Sequence, residues 1–258
     1  MIDLHSHILA GLDDGAKNDS DSIELLKAAV ADGISFIYAT PHHQNGRFEN
    51  EWEQVLRGVG QLNKIAKKNN LPVEVLPGQE IRLYGEIIED FKKGKIKGLG
   101  GNTDYLLIEF SSSHIPRFAE RLFYEMGLEG LKPIIVHPER NAEFLKYPEK
   151  LLNFVEKGAL VQLTAASILG IFGKKIQKFS FRIIGSEAAH FIASDAHNIH
   201  TRGFKMQEAF KLVEKRFGSE CKEGLLENAK SIKDGKTIFP PPPSPLKREG
   251  FLNFFIKS

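Results

Sequence analysis

The chain opens Met1-Ile2-Asp3-Leu4-His5-Ser6-His7, a short apolar run that ends in two imidazoles. Alternate residues of a strand share a face, so His5 and His7 point the same way about two residue rises apart. That spacing suits two ligands of one cation. The pattern recurs along the sequence. Strand-like runs at 1–5, 35–40, 73–77, 105–110, 133–137, 160–163 and 190–193 alternate with helical patterns at 19–32, 50–69, 84–93, 117–126, 148–157 and 173–185. Strand then helix, repeated in this way, predicts parallel β/α construction. Ser20 or Asp19 is expected to cap the first helix, with Gly33 just past its end.

The polar residues choose between an open sheet and a barrel. His5 and His7 follow the first strand, His42 the second and Glu80 the third; Glu109 ends the fourth, His137 closes the fifth, and Asp195 and His197 follow the seventh. An open sheet would spread them along an edge. A closed barrel brings all its strand ends to one face, so the clustering predicts a barrel.

Mixed imidazole and carboxylate donors without a thiolate point to Zn²⁺, Mn²⁺ or Fe²⁺ rather than to structural zinc. Glu80 or Glu109 can bridge two ions, since a carboxylate has two oxygens. Ions ~3.5–4 Å apart clamp the attacking and leaving oxygens of an in-line displacement, and each lowers the pKa of its water towards ~7. Arg140, in His137-Pro138-Glu139-Arg140-Asn141, is the main candidate to engage a phosphoryl group. Arg47 and Arg202 hold comparable places after the second and seventh strands; for each arginine a surface ion pair is the plain alternative. Asp13-Asp14-Gly15 reads as a turn, with Asp14 supporting the ligands from behind. His43, His114 and His200 read as loop residues near the rim, and Lys174, Lys175, Lys178 and Arg182 as a solvated helix face.

Composition narrows the classes further. With 258 residues and 41% apolar content, the chain can bury a substantial core. A formal net charge of +2, with interleaved signs, lacks the basic stripe of a nucleic-acid binder. The single cysteine, Cys221, excludes an intramolecular disulfide, agrees with a reducing compartment, and has no arginine six residues on to form a thiol phosphatase loop. No signal peptide or membrane span is evident, and a cytoplasmic protein is expected. Residues 1–239 read as the catalytic barrel. The stretch 240–258 reads as a proline-rich linker with a basic, aromatic tail, in which Lys247, Arg248 and Lys257 lie beside Phe251, Phe254 and Phe255. Such a tail is a candidate for weak contact with a membrane surface or a membrane-bound kinase.

The opening His-Ser-His with Asp13-Asp14-Gly15, and then Ala39-Thr40-Pro41-His42-His43, Pro77-Gly78-Gln79-Glu80, Leu107-Ile108-Glu109-Phe110, Val136-His137-Pro138-Glu139-Arg140-Asn141 and Ala193-Ser194-Asp195-Ala196-His197-Asn198, resembles the PHP superfamily. The likeness is to its bacterial tyrosine-protein phosphatase branch, associated with capsule and exopolysaccharide synthesis, and it covers roughly residues 1–235. It implies a distorted seven-stranded (β/α)7 barrel holding two or three divalent ions, with Mn²⁺ favoured over Fe²⁺ or Zn²⁺. It also implies His5, His7, His42, Glu80, Glu109, His137, Asp195 and His197 as ligands and Arg140 as the phosphate-binding arginine, with Asp195 and His197 joining Arg140 in catalysis. The implied substrate is phosphotyrosine on the C-terminal tail of a bacterial tyrosine kinase, hydrolysed by metal-bound hydroxide. Histidinol phosphate is the alternative substrate, and a metal-stabilised kinase-binding module the alternative role.

Overall fold

The structure, a computed structural model, describes residues 1–246. The tail residues Lys247, Arg248, Phe251, Phe254, Phe255 and Lys257 lie outside them. The strands are β1 (Ile2–Ser6), β2 (Phe36–Ala39), β3 (His42–His43), β4 (Glu74–Pro77), β5 (Glu80–Arg82), β6 (Tyr105–Glu109), β7 (Lys132–Val136), β8 (Leu160–Thr164) and β9 (Phe191–Ala193). The helices are α1 (Asp19–Ala31), α2 (Trp52–Lys68), α3 (Ile87–Lys92), α4 (Ala119–Leu128), α5 (Ala142–Lys146), α6 (Glu149–Glu156), α7 (Ala165–Ile168), α8 (Lys174–Gly185), α9 (Met206–Phe217) and α10 (Ser219–Lys233).

Every strand pairing is parallel, in sheets ordered β1-β2-β4 and β3-β5-β6-β7-β8-β9. These occupy seven positions around a barrel, because β2 continues into β3 and β4 into β5. Pro41, which has no N–H to give, interrupts the first of these strands, and Gly78-Gln79 interrupts the second. Gly78 N–H to Ala39 O (3.0 Å) and Glu80 N–H to Pro41 O (3.1 Å) carry the ladder through the bend. The register then sets His42 directly opposite Glu80 and Arg82 opposite Glu109.

The barrel closes between its last strand and its first. Asp195 N–H donates to His5 O at 2.9 Å, and His7 N–H to Ala196 O at 2.8 Å. Asp3, fully buried, fastens the same seam: one carboxylate oxygen accepts Ser194 N–H at 2.9 Å and the other Ser194 Oγ–H at 2.5 Å. Burial pushes the Asp3 carboxyl up to about 6, and these hydrogen bonds only partly oppose it. Beneath the seam lies α10, whose Ala229 and Ile232 pack with Leu4 and Phe191. A larger core, with Leu25, Leu26, Val55, Phe144 and Phe154 among its members, joins the remaining helices to the sheets.

Some local expectations need correcting. Asn18, not Ser20 or Asp19, caps α1, its side chain accepting from Asp21 N–H at 3.1 Å. Gly33 does follow that helix with a positive φ of 80°. His43 is no rim residue: it follows His42 in β3, so its ring points to the opposite face and is buried edge-on against Tyr84. Arg182 lies on the same face of α8 as the lysines but is half-buried rather than solvated. The pair α9 and α10 had no counterpart among the expected elements. The proline-rich segment is docked on the barrel's N-terminal end. Lys132 Nζ reaches Thr237 Oγ1 at 3.2 Å, Ile238 N–H donates to Tyr105 Oη at 2.9 Å, and Ser244 N–H to Ser186 O at 2.8 Å. No helix among the described residues is long and apolar enough to cross a membrane.

Candidate metal centre

The opposite, C-terminal end of the barrel gathers the polar residues. Nε2 of His5 and Nε2 of His7 are 3.2 Å apart, and Glu80 Oε2 lies 3.4 Å from the first and 3.3 Å from the second. Asp195 Oδ1 is 3.6 Å from the first and 3.4 Å from the second. Four donors bound to one ion at ~2.0–2.1 Å in a tetrahedron stand ~3.3–3.4 Å from one another. His5 Nε2, His7 Nε2 and Glu80 Oε2 are therefore already spaced as three ligands of a single ion, with Asp195 Oδ1 beside the two histidines.

Two further groups adjoin the trio His5, His7 and Glu80 among the described residues: His7, Asp14, His42 and His197, and His42, Glu80 and Glu109. Asp14 Oδ1 is 3.4 Å from Nε2 of both His42 and His197. His137 Nε2 meets Glu80 Oε1 at 2.7 Å, so both oxygens of Glu80 face donors. Nδ1 of His42 approaches Glu80 Oε2 to 2.7 Å without the geometry of a hydrogen bond. Both of these atoms and Nε2 of His197 are buried with no hydrogen-bond partner. Buried polar atoms left unpaired in this way are costly unless something else engages their lone pairs. The electrostatics point the same way: burial and the neighbouring Glu80 push the Glu109 carboxyl up to about 7, despite Arg82 at 3.0 Å. A divalent cation would relieve that repulsion, so the donor set fits one.

Backbone conformation helps to aim these groups. His137 (φ 39°) and Asp195 (φ 53°) are left-handed non-glycine residues at the ends of β7 and β9. Such conformations cost of order 1–3 kcal/mol each and persist where the surroundings hold them. His137 begins the turn Pro138–Arg140, which carries Arg140 back over the donors. Arg140 Nη2 donates to Asp195 Oδ2 at 2.6 Å, and Arg202 Nη2 to the same oxygen at 3.0 Å. Against the cost of burial, Arg140, His7 and Arg202 hold the Asp195 carboxyl well below the usual range. Burial and the Arg140 guanidinium push His137 down to about 4, so it is neutral near pH 7. A cleft of about 320 Å³ opens over this face, lined by His42, Glu109, His137, Arg140, Asp195 and Arg202 among others.

The expected residues thus meet, with two changes of position. Asp14 stands among the donor atoms, and the supporting place behind them falls to Asp13, whose Oδ2 is 2.6 Å from His7 Nδ1. Gly15 makes that turn feasible: a Cβ there would fall 2.0 Å from His7 O. Arg47 does not join the cleft; it is exposed and lies over the Phe48 ring, 4.9 Å from its centroid.

The sequence model of the family described as "Capsular polysaccharide synthesis, CpsB/CapC" matches residues 1–233. This chain belongs to the CpsB/CapC family. It is 50% identical over 255 residues to the tyrosine-protein phosphatase YwqE of Bacillus subtilis, covering 99% of this chain and 100% of YwqE. To the tyrosine-protein phosphatase CpsB of Streptococcus agalactiae serotype III it is 29% identical over 238 residues, 90% of this chain and 98% of CpsB. Among solved structures, one from the work on YwqE and on CpsB of Streptococcus pneumoniae, described as unique metal-dependent tyrosine phosphatases, superposes with a TM-score of 0.93. That match has 50% identity and covers 96% of this chain and 100% of the other. The histidinol phosphate phosphatase of Lactococcus lactis shares the fold alone, at 14% identity and a TM-score of 0.54 over 83% of this chain and 94% of the other.

Proposed function

We propose that the chain is a metal-dependent protein-tyrosine phosphatase of capsular or extracellular polysaccharide synthesis. The observation that carries this reading is the cluster of His5, His7 and Glu80 with ligand-like spacing, beside Asp195, whose outer oxygen receives two arginines. Two or three divalent ions would be held by His5, His7, Asp14, His42, Glu80, Glu109, His137, Asp195 and His197. Bound there, they would polarise the phosphoryl oxygens and supply a water of lowered pKa. Mn²⁺ is the proposed ion on the family resemblance, since the imidazole and carboxylate donors suit Fe²⁺ or Zn²⁺ as well.

The protein's own groups do the rest. Arg140, lining the cleft, presents a guanidinium to the equatorial phosphoryl oxygens, where negative charge accumulates in the transition state. Arg202 shares the task of neutralising Asp195 and so leaves Arg140 free to engage substrate as well. Tyrosinate, with a parent pKa of ~10, leaves more readily than a serine alkoxide and makes little demand for a dedicated acid. The proposed partner is the phosphorylated tail of a bacterial tyrosine kinase, met in the cytoplasm. One Mn²⁺-loaded preparation tested on a phosphotyrosyl peptide, a phosphoseryl peptide and histidinol phosphate checks the reading. Preference for the first is expected, and turnover confined to histidinol phosphate would overturn it.

A further inference from the structure

His5 uses both its ring nitrogens. Nε2 faces the cluster, while Nδ1 faces away from it, 2.9 Å from Oε1 of Gln162 on β8. Both side chains are fully buried. An imidazole can offer a lone pair to a cation through Nε2 only when its proton sits on Nδ1, and a buried Nδ1–H needs an acceptor. We propose that Gln162 is a positioning residue that fixes the tautomer of His5 and so tunes how tightly the first ion is held. The inference rests on the reading of His5 as a metal ligand.

The fold seats Gln162 for this task. Its strand lies between β7 and β9, which lead to His137 and Asp195, and its carbonyl accepts His137 N–H at 2.8 Å. The amide nitrogen Nε2 is buried and makes no hydrogen bond. Nothing on that side therefore pins the amide, and His5 alone decides which way it faces. Turned over, the amide would donate to Nδ1 and move the imidazole proton to Nε2. There His7 Nε2 at 3.2 Å is its nearest acceptor, with Glu80 Oε2 at 3.4 Å beside it. An amide can serve either tautomer, whereas a carboxylate can only accept. It also adds no charge to a site that already buries Glu80 and Asp195.

Two substitutions separate this role from packing. Gln162→Met keeps a flexible chain of similar length and removes the acceptor; Gln162→Glu keeps an oxygen in either protonation state. Mn²⁺ affinity of the full chain would be measured by competition with a chelator, and thermal unfolding in excess chelator would report the fold. Loss of a partner behind a ligand typically lowers metal affinity ~10–100-fold. Gln162→Met is expected to show that loss, and Gln162→Glu to stay within about threefold of the parent or bind tighter. With Zn²⁺ as a diamagnetic probe, ring ¹⁵N shifts of the parent should show His5 protonated at Nδ1. An Nε2–H pattern, a Met variant within about twofold of the parent, or a Glu variant as weak as Met would each overturn the inference. A parent chain that binds no divalent ion would instead fail the metal reading, and this inference with it.

Discussion

Asp3 offers a test of how the barrel is fastened that is independent of catalysis. Its carboxylate accepts from Ser194 N–H, Ser194 Oγ–H and His5 N–H, and burial still pushes its pKa from 3.8 up to about 6. A shift of about two units is worth roughly 3 kcal/mol between the two protonation states. The sign follows from linkage: the folded pKa is raised, so the contribution is fully present below the unfolded value and is lost as pH rises through the folded one. About 2 of those 3 kcal/mol are lost between pH ~4.5 and ~8. Asn cannot ionise, and Ser194 Oγ can turn from donor to acceptor to meet its amide. In excess chelator, the stability of Asp3→Asn minus that of the parent should therefore rise by about 2 kcal/mol over that interval. Urea unfolding of both proteins at matched pH measures the difference and cancels the titrating groups that do not interact with Asp3. A difference that stays flat, or falls with pH, would refute the reasoning.

Other expectations concern the site itself. Arg140→Ala should lower kcat by ~10²–10³ while metal content holds, since Arg202 still accompanies Asp195; elemental analysis alongside kinetics checks this, and equal losses of both would mark the arginine as structural. Metal affinity should fall on acidification. Glu109 at about 7 must release its proton to bind, so the plot of log affinity against pH should steepen by about one unit of slope below pH ~7. His42, which Glu80 holds up at about 10 despite burial, contributes a proton across the whole range, so the break and not the slope is diagnostic; chelator competition would show it. Asp13→Asn should cost ~10–100-fold in metal affinity through His7, and an unchanged affinity would remove Asp13 from the supporting role. Gly15→Ala should destabilise the fold by about 1–3 kcal/mol and reduce metal stoichiometry, as read by thermal unfolding and elemental analysis.

Much of the site was legible because most of the donors lie near or just past the C-terminal end of a barrel strand, where barrel closure brings them together. His5, His7, His42, Glu80, Glu109, His137, Asp195 and His197 all come together on that logic. Asp13 and Asp14 were not separable, because which of two adjacent acids faces inward depends on how closely Gly15 passes His7. Arg47 and Arg202 look alike in sequence, each a few residues beyond a ligand. Left-handed Gln44 and Gly46 send the first out to Phe48, whereas the hairpin of His197 N–H on Arg202 O (2.8 Å) folds the second back. Pro41 and Gly78 were readable as breakers, yet not as bends across which the ladder continues. In α9 the apolar spacing of Met206, Ala209, Phe210 and Val213 is helical, but no strand follows it, so the β/α rhythm gave it no place.

The docked segment that ends at Ser244 also fixes an orientation. It runs across the entries of β6 and β7 to Ser186, ahead of β9, on the side of the barrel opposite the arginines. The described chain therefore leaves the barrel at its base, and the cleft with its arginines faces the other way.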